Sequence, residues 1–314
     1  MVNIQKCVVI GCGFVGASTA FALAESGLFN EMVLLDANRD KAEGEAMDLN
    51  HGLAFTQPME IYSGSYADVK DAGVIILAAG AGQKPGETRM DLVHKNVAIF
   101  RSIVPQITQY NREAVLLVVS NPVDILTWAT LQISKFPPER VLGSGTVLDS
   151  ARLKYLLGRH LDVDPRSVHA YIIGEHGDSE LAVWSSANIS GVPLEEFCAL
   201  RGYRDHREDR QKLYEEVKNS AYRIIEKKGA TYYGIALAVR RICSCIVRDE
   251  HSILPVSSLV QGHFGLHDLC MGVPTILGRA GVECVLDISI DMQEQEELLQ
   301  SAYTLQSVLD TLTL

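Results

Sequence analysis

The chain has 314 residues, of which 47% are hydrophobic and 21% are charged, and its formal net charge at pH 7 is −11. This length predicts two domains, and the composition is that of an ordinary globular protein. The acidic balance argues against nucleic acid and anionic membranes as main partners. No apolar run reaches the roughly 18 residues that a membrane span needs.

The N-terminus and the cysteines predict the compartment. The first residues are typical of a strand, a glycine turn and the start of a helix, and they do not resemble a signal peptide. The seven cysteines include no C-x-x-C pair, and several lie inside apolar runs. We therefore expect reduced, mostly buried thiols in a cytoplasmic protein.

Apolar runs in the first half of the chain alternate with helical patterns. The predicted strands are 7–10, 32–35, 74–78, 115–119 and 141–143, and the predicted helices are 14–28, 92–110 and 123–134. Alternating strands and helices predict a parallel sheet covered on both faces. The first domain, residues 1–144, is thus expected to be a Rossmann-type, doubly wound α/β sheet.

The second half, residues 145–314, has a different pattern and is expected to be an α+β substrate domain. The predicted strands are 168–173, 181–189, 256–260, 273–277 and 284–288, and amphipathic helices are predicted at 209–228 and 231–247. A last helix is predicted to begin at the capping pattern of Asp291 and Glu294.

A glycine-rich turn follows the first predicted strand and opens the first helix. In the segment 11–16, glycines stand at Gly11, Gly13 and Gly16, which allows a pyrophosphate to approach the helix N-terminus. Asp36 ends the next strand and can accept both ribose hydroxyls, so NAD is favoured over NADP, although nearby Arg39 weakens that exclusion. The alternative is a strand-turn-helix without a nucleotide.

One histidine stands between glycines and is a candidate acid–base group. His176 lies between Gly174 and Gly177, and Asp149 and Arg152 share one face of an earlier helix. The acid can orient the imidazole and raise its pKa, and the guanidinium can bind a carboxylate through two hydrogen bonds. The alternatives are a loop histidine without a catalytic role and a surface ion pair.

Two loops at the ends of predicted strands carry polar side chains suited to a substrate. The loop 80–89 is rich in glycine and carries Gln83 and Arg89, and Thr88 is a predicted N-cap, so the segment is a candidate lid. Asn121 lies where open α/β sheets bind ligands. The alternatives are a solvated loop and an ordinary Asn-Pro turn.

Taken together, these segments resemble the lactate/malate dehydrogenase family, and within it the bacterial L-lactate dehydrogenases, along nearly the whole chain. The matching stretches are 11–16, 47–52, 80–96, 120–124, 143–152, 173–179 and 228–231. Cys12 is a mild departure, because alanine is frequent at that position.

The resemblance implies a role for each candidate residue. His176 is then the proton donor and acceptor, Asp149 is its partner, and Arg89 closes over the site and polarises the carbonyl. The residues implied to bind the substrate are Gln83, Arg89, Asn121, Asp124, Arg152 and Thr231. The residues implied to bind NAD are Gly11, Gly13, Val15, Gly16, Asp36, Lys41, Tyr66, Gly80, Ala81, Ser102, Ser120, Asn121 and Ser144.

Gln83 separates the possible substrates. The malate dehydrogenases of this family carry arginine at the matching position, where it meets a second carboxylate, and a neutral amide cannot pair that charge. Pyruvate and L-lactate are therefore the expected substrates. The alternatives are a dehydrogenase for malate or another 2-hydroxy acid, and an NAD-binding protein without turnover.

The resemblance also implies a homotetramer with an effector site for fructose 1,6-bisphosphate at Lys154 and His169. Lys154 lies two residues past Arg152 on one helix and so points away from the substrate. Lysine stands where arginine is usual, so activation can be partial; the alternative is a surface lysine and a packed histidine. No metal site is expected, because His263 and His267 flank a predicted turn.

Overall fold

Strands and helices alternate through the first half of the chain, as its apolar runs predict. The computed structural model of the protein describes residues 2–82, 86–203 and 206–312. The elements of this half are β1 (Asn3–Ile10), α1 (Phe14–Ser26), β2 (Glu31–Leu35), α2 (Arg39–Gly52), β3 (Glu60–Ser63), β4 (Ala72–Leu77), α3 (Arg89–Tyr110), β5 (Val115–Val118), α4 (Val123–Ser134) and β6 (Val141–Gly143).

The strands of this half form a parallel sheet in the order β3-β2-β1-β4-β5-β6. The direction in which strands are added reverses between β1 and β4. In doubly wound sheets, ligands bind at such a switch point, outside the carboxyl ends of the strands. The predicted Rossmann-type fold is confirmed.

The second half combines helices with antiparallel strands, as expected for an α+β region. Its elements are α5 (Val147–Leu161), β7 (Val168–Ile173), β8 (Leu181–Ile189), β9 (Val192–Pro193), α6 (Leu194–Leu200), α7 (His206–Lys228), α8 (Tyr233–Arg248), β10 (Ser252–Val260), β11 (Leu269–Gly278), β12 (Gly281–Val285) and α9 (Met292–Leu309). Strands β7, β8 and β9 form a separate antiparallel sheet.

The parallel sheet continues into the second half of the chain. Strands β10, β11 and β12 extend it beyond β6, and Ser257 pairs with Gly143 in the one antiparallel register that joins the two halves. Because one sheet contains strands from both halves, the division at residue 144 stays a prediction.

Alternate side chains of the central strands enter two different cores. Val8 and Ile10 of β1 pack in one cluster, and Cys7 and Val9 pack in the other, so both faces of the sheet are covered. All seven cysteines lie in the described part of the chain as free thiols, and all but Cys284 are buried. Of the described helices, none is long and apolar enough to cross a bilayer.

A third core fixes the two segments that bring the acid–base residues together. It packs α5 against β7 and α7, with Leu153 and Ile172 fully buried. Two hydroxyls also tie α5 to β7: Thr146 Oγ1 donates to the Ile172 carbonyl at 2.6 Å, and Ser150 Oγ accepts from the Ile172 amide at 2.8 Å. These buried bonds set the position of α5 relative to the loop that follows β7.

Candidate active site

A large cavity opens at the switch point of the parallel sheet. Its volume is about 770 Å³, and its walls come from the ends of β1, β2 and β4 and from α3. Seven residues that the sequence predicts to bind NAD line it: Gly11, Gly13, Asp36, Lys41, Tyr66, Gly80 and Ser102.

The glycines of the turn are required by close backbone contacts. Gly11 has φ +100°, and a Cβ there would lie 2.5 Å from the Cα of Ala79. A Cβ on Gly16 would lie 1.8 Å from the carbonyl oxygen of Gly11, so α1 could not pack against the turn. Gly13 has nothing within 4 Å and faces open space. This backbone leaves the N-terminus of α1 open to a phosphate group.

Asp36 stands at the end of β2 and also supports the turn. One carboxylate oxygen accepts from the Cys12 amide at 2.7 Å, and the other accepts from the Asn38 amide at 2.9 Å. Arg39 is the cation that weakened the predicted exclusion of NADP. Its guanidinium is paired with Glu43 at 2.9 Å. The carboxylate and the paired guanidinium both favour the unphosphorylated ribose of NAD.

The other residues predicted to bind NAD do not line this cavity: Val15, Gly16, Ala81, Ser120, Asn121 and Ser144. Several of them brace the surrounding loops instead. The Ala81 amide donates to Asn96 at 2.8 Å, and Ser120 Oγ donates to the Ala79 carbonyl at 2.6 Å. The Ser144 amide donates to the Val118 carbonyl at 2.8 Å. Their contact with NAD stays a prediction.

A second cavity of about 280 Å³ contains the candidate acid–base residues. Asp149 is buried at its base, where one carboxylate oxygen bonds to Nδ1 of His176 and the other accepts from Arg152, both at 2.7 Å. Helix α5 places Asp149 and Arg152 one turn apart, which is why a spacing of three residues brings both to the cavity. The arrangement is the one that the sequence predicts.

The charges in this cavity shift the pKa values of its members. Burial opposes the charge on His176, but the carboxylate of Asp149 outweighs it and raises the pKa of His176 to about 9. Burial also opposes the charge on Asp149, yet His176 and Arg152 hold the pKa of that carboxyl below its ordinary value. At neutral pH the pair is therefore an imidazolium and a carboxylate, with a proton available at Nε2.

Two residues that the sequence assigns to the substrate do not line the cavity. Asp124 is buried, and its carboxylate accepts from the backbone amide of His176 at 2.7 Å, so it positions the loop. Burial raises the pKa of Asp124 to about 6. Thr231 follows α7, and the ring centres of its neighbour Tyr232 and of Phe14 lie 5.4 Å apart. Asn121 lines the cavity as predicted.

Arg89 lines the rim of the cavity but is engaged by an acid. Its guanidinium pairs with buried Glu175, which also accepts from Ser179. Thr88 and Asp91 form a capping box, so α3 begins at Arg89 and not at residue 92 as predicted. Gln83, the predicted specificity residue, lies outside the described residues.

Helix α7 covers the cavity and is bonded to residues 174–180, the loop between β7 and β8 that carries His176 and is called the catalytic loop. Tyr214, Lys218 and Tyr222 lie four residues apart on one face of α7, and each bonds to the segment 178–180. Lys218 donates to the Asp178 carbonyl at 2.6 Å, and Tyr222 donates to the Asp178 carboxylate at 3.0 Å. Sequence reasoning missed these contacts, because periodicity alone does not show which loop a helix face meets.

Two models of known families match the chain. The lactate/malate dehydrogenase NAD binding domain matches residues 5–143, and the lactate/malate dehydrogenase alpha/beta C-terminal domain matches residues 146–313. The chain belongs to the lactate/malate dehydrogenase family. Residues 5–143 therefore form the NAD-binding domain of this family, and NAD is the cofactor.

Individual members of the family are similar along almost their whole length. L-lactate dehydrogenase 1 of Clostridium acetobutylicum is 53% identical over 307 residues, and L-lactate dehydrogenase of Acetivibrio thermocellus is 53% identical over 309 residues; each match covers 98% of both chains. The ligand-bound crystal structure of the minor L-lactate dehydrogenase from Enterococcus mundtii has a TM-score of 0.96 at 45% identity and covers 99% of both chains.

Proposed function

We propose that this member of the family is an NAD-dependent L-lactate dehydrogenase, which reduces pyruvate to L-lactate and catalyses the reverse reaction. The observation that carries the proposal is the bonded set of His176, Asp149 and Arg152 in a cavity beside the NAD site. Relatives with 53% identity and the name L-lactate dehydrogenase support it.

His176 supplies the proton of the reaction. NADH, when bound, supplies the hydride that reaches the ketone carbon. Because Nδ1 of His176 is bonded to Asp149, Nε2 is the nitrogen that gives its proton to the ketone oxygen. Asp149 keeps its charge throughout and stabilises the imidazolium before transfer. Lactate and neutral His176 result, and lactate oxidation begins from that neutral imidazole.

Arg152 orients the substrate through its carboxylate. A guanidinium has five N–H donors, and Asp149 takes one of those of Arg152. The remaining donors can bind a carboxylate in the paired geometry that an ammonium lacks. We propose that Arg89 leaves Glu175 when substrate binds and then polarises the ketone oxygen from the opposite side.

The charges of the cavity favour pyruvate over oxaloacetate. Besides the imidazolium of His176, the cations among the described lining residues are Arg89, Arg152 and Lys218, and Lys218 donates to the Asp178 carbonyl. With Arg89 and Arg152 assigned to the ketone and the first carboxylate, a second carboxylate would meet Gln83, a neutral amide. Leaving that charge unpaired in a closed site costs several kcal/mol.

The test is NADH oxidation by the purified protein, with pyruvate and oxaloacetate in parallel. We expect kcat/KM for pyruvate to exceed that for oxaloacetate by at least about 100-fold, and Gln83→Arg to move the preference toward oxaloacetate. Gln109→Arg, on an exposed face of α3 that lines neither cavity, is the charge-matched control. A parent that prefers oxaloacetate would contradict the proposal, and no turnover at all would indicate an NAD-binding protein.

We further propose that the protein is a cytoplasmic homotetramer that acts in pyruvate fermentation at the end of glycolysis. Large apolar side chains are exposed on α1, α2 and α8 and on the segment after α2, which is typical of surfaces covered in an assembly. They are Phe14, Phe21, Met47, Phe55, Tyr233 and Leu237. The free, buried cysteines support a reducing compartment.

The effector proposal concerns the opposite side of α5. The ammonium of Lys154 lies 5.8 Å from the ring centre of Tyr171, and His169 is exposed on the same face of β7 as Tyr171. Burial lowers the pKa of Lys154. We propose that Lys154 and His169 of two subunits together bind fructose 1,6-bisphosphate, and that its two phosphate groups stabilise the assembled state.

Pyruvate saturation with and without fructose 1,6-bisphosphate tests the effector site, together with the molecular mass in solution. We expect the bisphosphate to lower the KM for pyruvate and to favour the tetramer, and Lys154→Ala to abolish both effects. Lys135→Ala, on a surface turn, is the control. If the bisphosphate changes neither KM nor mass in the parent, the effector proposal is wrong, while the dehydrogenase proposal stands.

A further inference from the structure

One buried glutamate lies beside the acid–base pair but takes no part in the proton transfer between His176 and the substrate. Glu180 ends the catalytic loop and lines the substrate cavity, yet its side chain is only 5% exposed. Its Oε1 atom is inaccessible to solvent and has no hydrogen-bond partner among the described residues. Such a group is costly to bury, because an ionised carboxylate normally requires a partner in a dry site.

Glu180 lies close to both members of the acid–base pair. Ligating atoms of Asp149, His176 and Glu180 all lie within 4.8 Å of one another. Both oxygens of Asp149 are already bonded, one to His176 and one to Arg152. The imidazole therefore has two acids near it, one that is fully paired and a second that has an unpaired oxygen.

Helix α7 contacts the segment that carries the glutamate. Tyr214 donates its hydroxyl proton to the backbone carbonyl of Glu180, and Lys218 binds the loop two residues earlier. These contacts fix the Glu180 backbone beneath α7.

The charged and titratable groups around Glu180 come from each element packed on it. Helix α5 contributes an acid and a guanidinium, the catalytic loop an imidazole, α7 an ammonium and two phenols, and α3 a guanidinium at the rim. They are Asp149, Arg152, His176, Lys218, Tyr214, Tyr222 and Arg89.

The balance of these charges brings the pKa of Glu180 close to that of His176. Burial and the charge of Asp149 raise the pKa of Glu180 to about 8, and His176, Arg152 and Lys218 offset part of that rise. The ionised carboxylate in turn contributes to the raised pKa of His176. Glu180 is thus neutral in mildly acidic solution and gains its charge in the range where the imidazolium would otherwise lose its proton.

We propose that Glu180 is a second acid partner of His176. It is a positioning residue whose ionised carboxylate stabilises the protonated imidazole and extends pyruvate reduction to higher pH. This inference rests on the proposed function. It assigns to Glu180 a task that Asp149 cannot perform, because Asp149 is ionised throughout the working range. Glu180 gains its negative charge only in the pH range where His176 would otherwise lose its proton.

Glu180→Gln is the informative variant, because an amide closely matches the neutral carboxylic acid in shape. We expect the alkaline limb of kcat/KM for pyruvate to move down by about one pH unit, since a charge within about 4–6 Å shifts a pKa by that order. The ratio of parent to variant should be smallest near pH 6 and grow about tenfold by pH 10. Glu297→Gln, on an exposed face of α9, is the matched control.

The reverse reaction should respond in the opposite sense. Lactate oxidation requires neutral His176, so Glu180→Gln should increase its rate at pH 8 by roughly fivefold, as the limb moves toward that pH. A substitution that only disturbs packing would lower the rates of both pyruvate reduction and lactate oxidation. A loss by the same factor at every pH, or an alkaline limb that does not move, would overturn the proposal.

A measurement without turnover separates this inference from the proposed function. Nuclear magnetic resonance of ring-labelled histidine in the NAD-free protein should show a lower pKa for His176 in Glu180→Gln than in the parent and in Glu297→Gln. An identical His176 titration in all three proteins would contradict the role of Glu180. Failure of the parent to reduce pyruvate would instead contradict the proposed function and leave this result interpretable.

Discussion

The two cavities of this protein are built in different ways. The NAD cavity opens beside the turn 11–16, where Gly11 and Gly16 leave no room for a side chain, and beside Asp36. The substrate cavity is formed by charged side chains from α3, α5, α7 and the loop after β7. The first therefore depends on the absence of side-chain volume, and the second on a balance of buried charges.

The largest effect should come from the substrate cavity. We expect His176→Asn to lower kcat for pyruvate by about 10³–10⁴-fold, because the general acid is lost. The affinity for NADH should stay within about twofold, since other segments build that site. Steady-state rates and NADH fluorescence titration measure the two properties. Retention of more than a few per cent of the activity would remove His176 from proton transfer.

Substrate anchoring should show the next largest effect. We expect Arg152→Lys to lower kcat/KM for pyruvate by about 100-fold, because an ammonium cannot reproduce two parallel bonds to a carboxylate. Inhibition by oxamate, an unreactive amide similar in shape to pyruvate, measures the change in substrate affinity separately from the change in rate. Arg159→Lys, at the exposed end of α5, is the control. An unchanged KM and an unchanged oxamate affinity would show that another cation binds the carboxylate.

The NAD cavity should fail for reasons of volume. We expect Gly16→Ala to lower the free energy of unfolding by about 1–3 kcal/mol, because its Cβ would meet the Gly11 carbonyl at 1.8 Å. Gly13→Ala should cost less than about 1 kcal/mol and mainly weaken NADH binding, because its methyl group would project into the cavity. Denaturant unfolding compares them. Equal stability losses in both variants would contradict the packing argument.

The smallest effect concerns the ribose. We expect Asp36→Asn to weaken NADH binding by about tenfold and to reduce the discrimination against NADPH, because the carboxylate charge is lost. Asp40→Asn, an exposed acid in the first turn of α2, is the matched control. Titration with both nucleotides gives the result. A variant that binds NADH as the parent does would show that Asp36 only braces the Cys12 amide.

The sequence predicts most of the fold because strong local patterns determine it. The strands of the parallel sheet are apolar runs, and the capping pattern of Asp291 and Glu294 is found where it was expected. Helix α2 and strand β3 were missed, because α2 buries only Ala42 and Ala46, and β3 is an edge strand whose one buried residue is Ile61.

The candidate site could be predicted only in part. Asp149, Arg152 and His176 converge as expected, because helical spacing and flanking glycines are local signals. The roles of Glu175 and Glu180 were missed, although both lie in the same motif as His176. Whether a loop carboxylate faces a cavity depends on the packing of α7 and α9, which no local pattern shows.

The most direct test of the contrast between the two cavities uses the parent protein alone, from pH 6.5 to 10. Pyruvate reduction needs protonated His176, so kcat/KM should fall as pH rises through about 9, while lactate oxidation should rise over the same range. The NADH dissociation constant should change little, because the NAD cavity shares no lining residue with the cavity of His176. A dissociation constant that changes together with kcat/KM, or a pyruvate rate that does not fall by pH 10, would contradict this account.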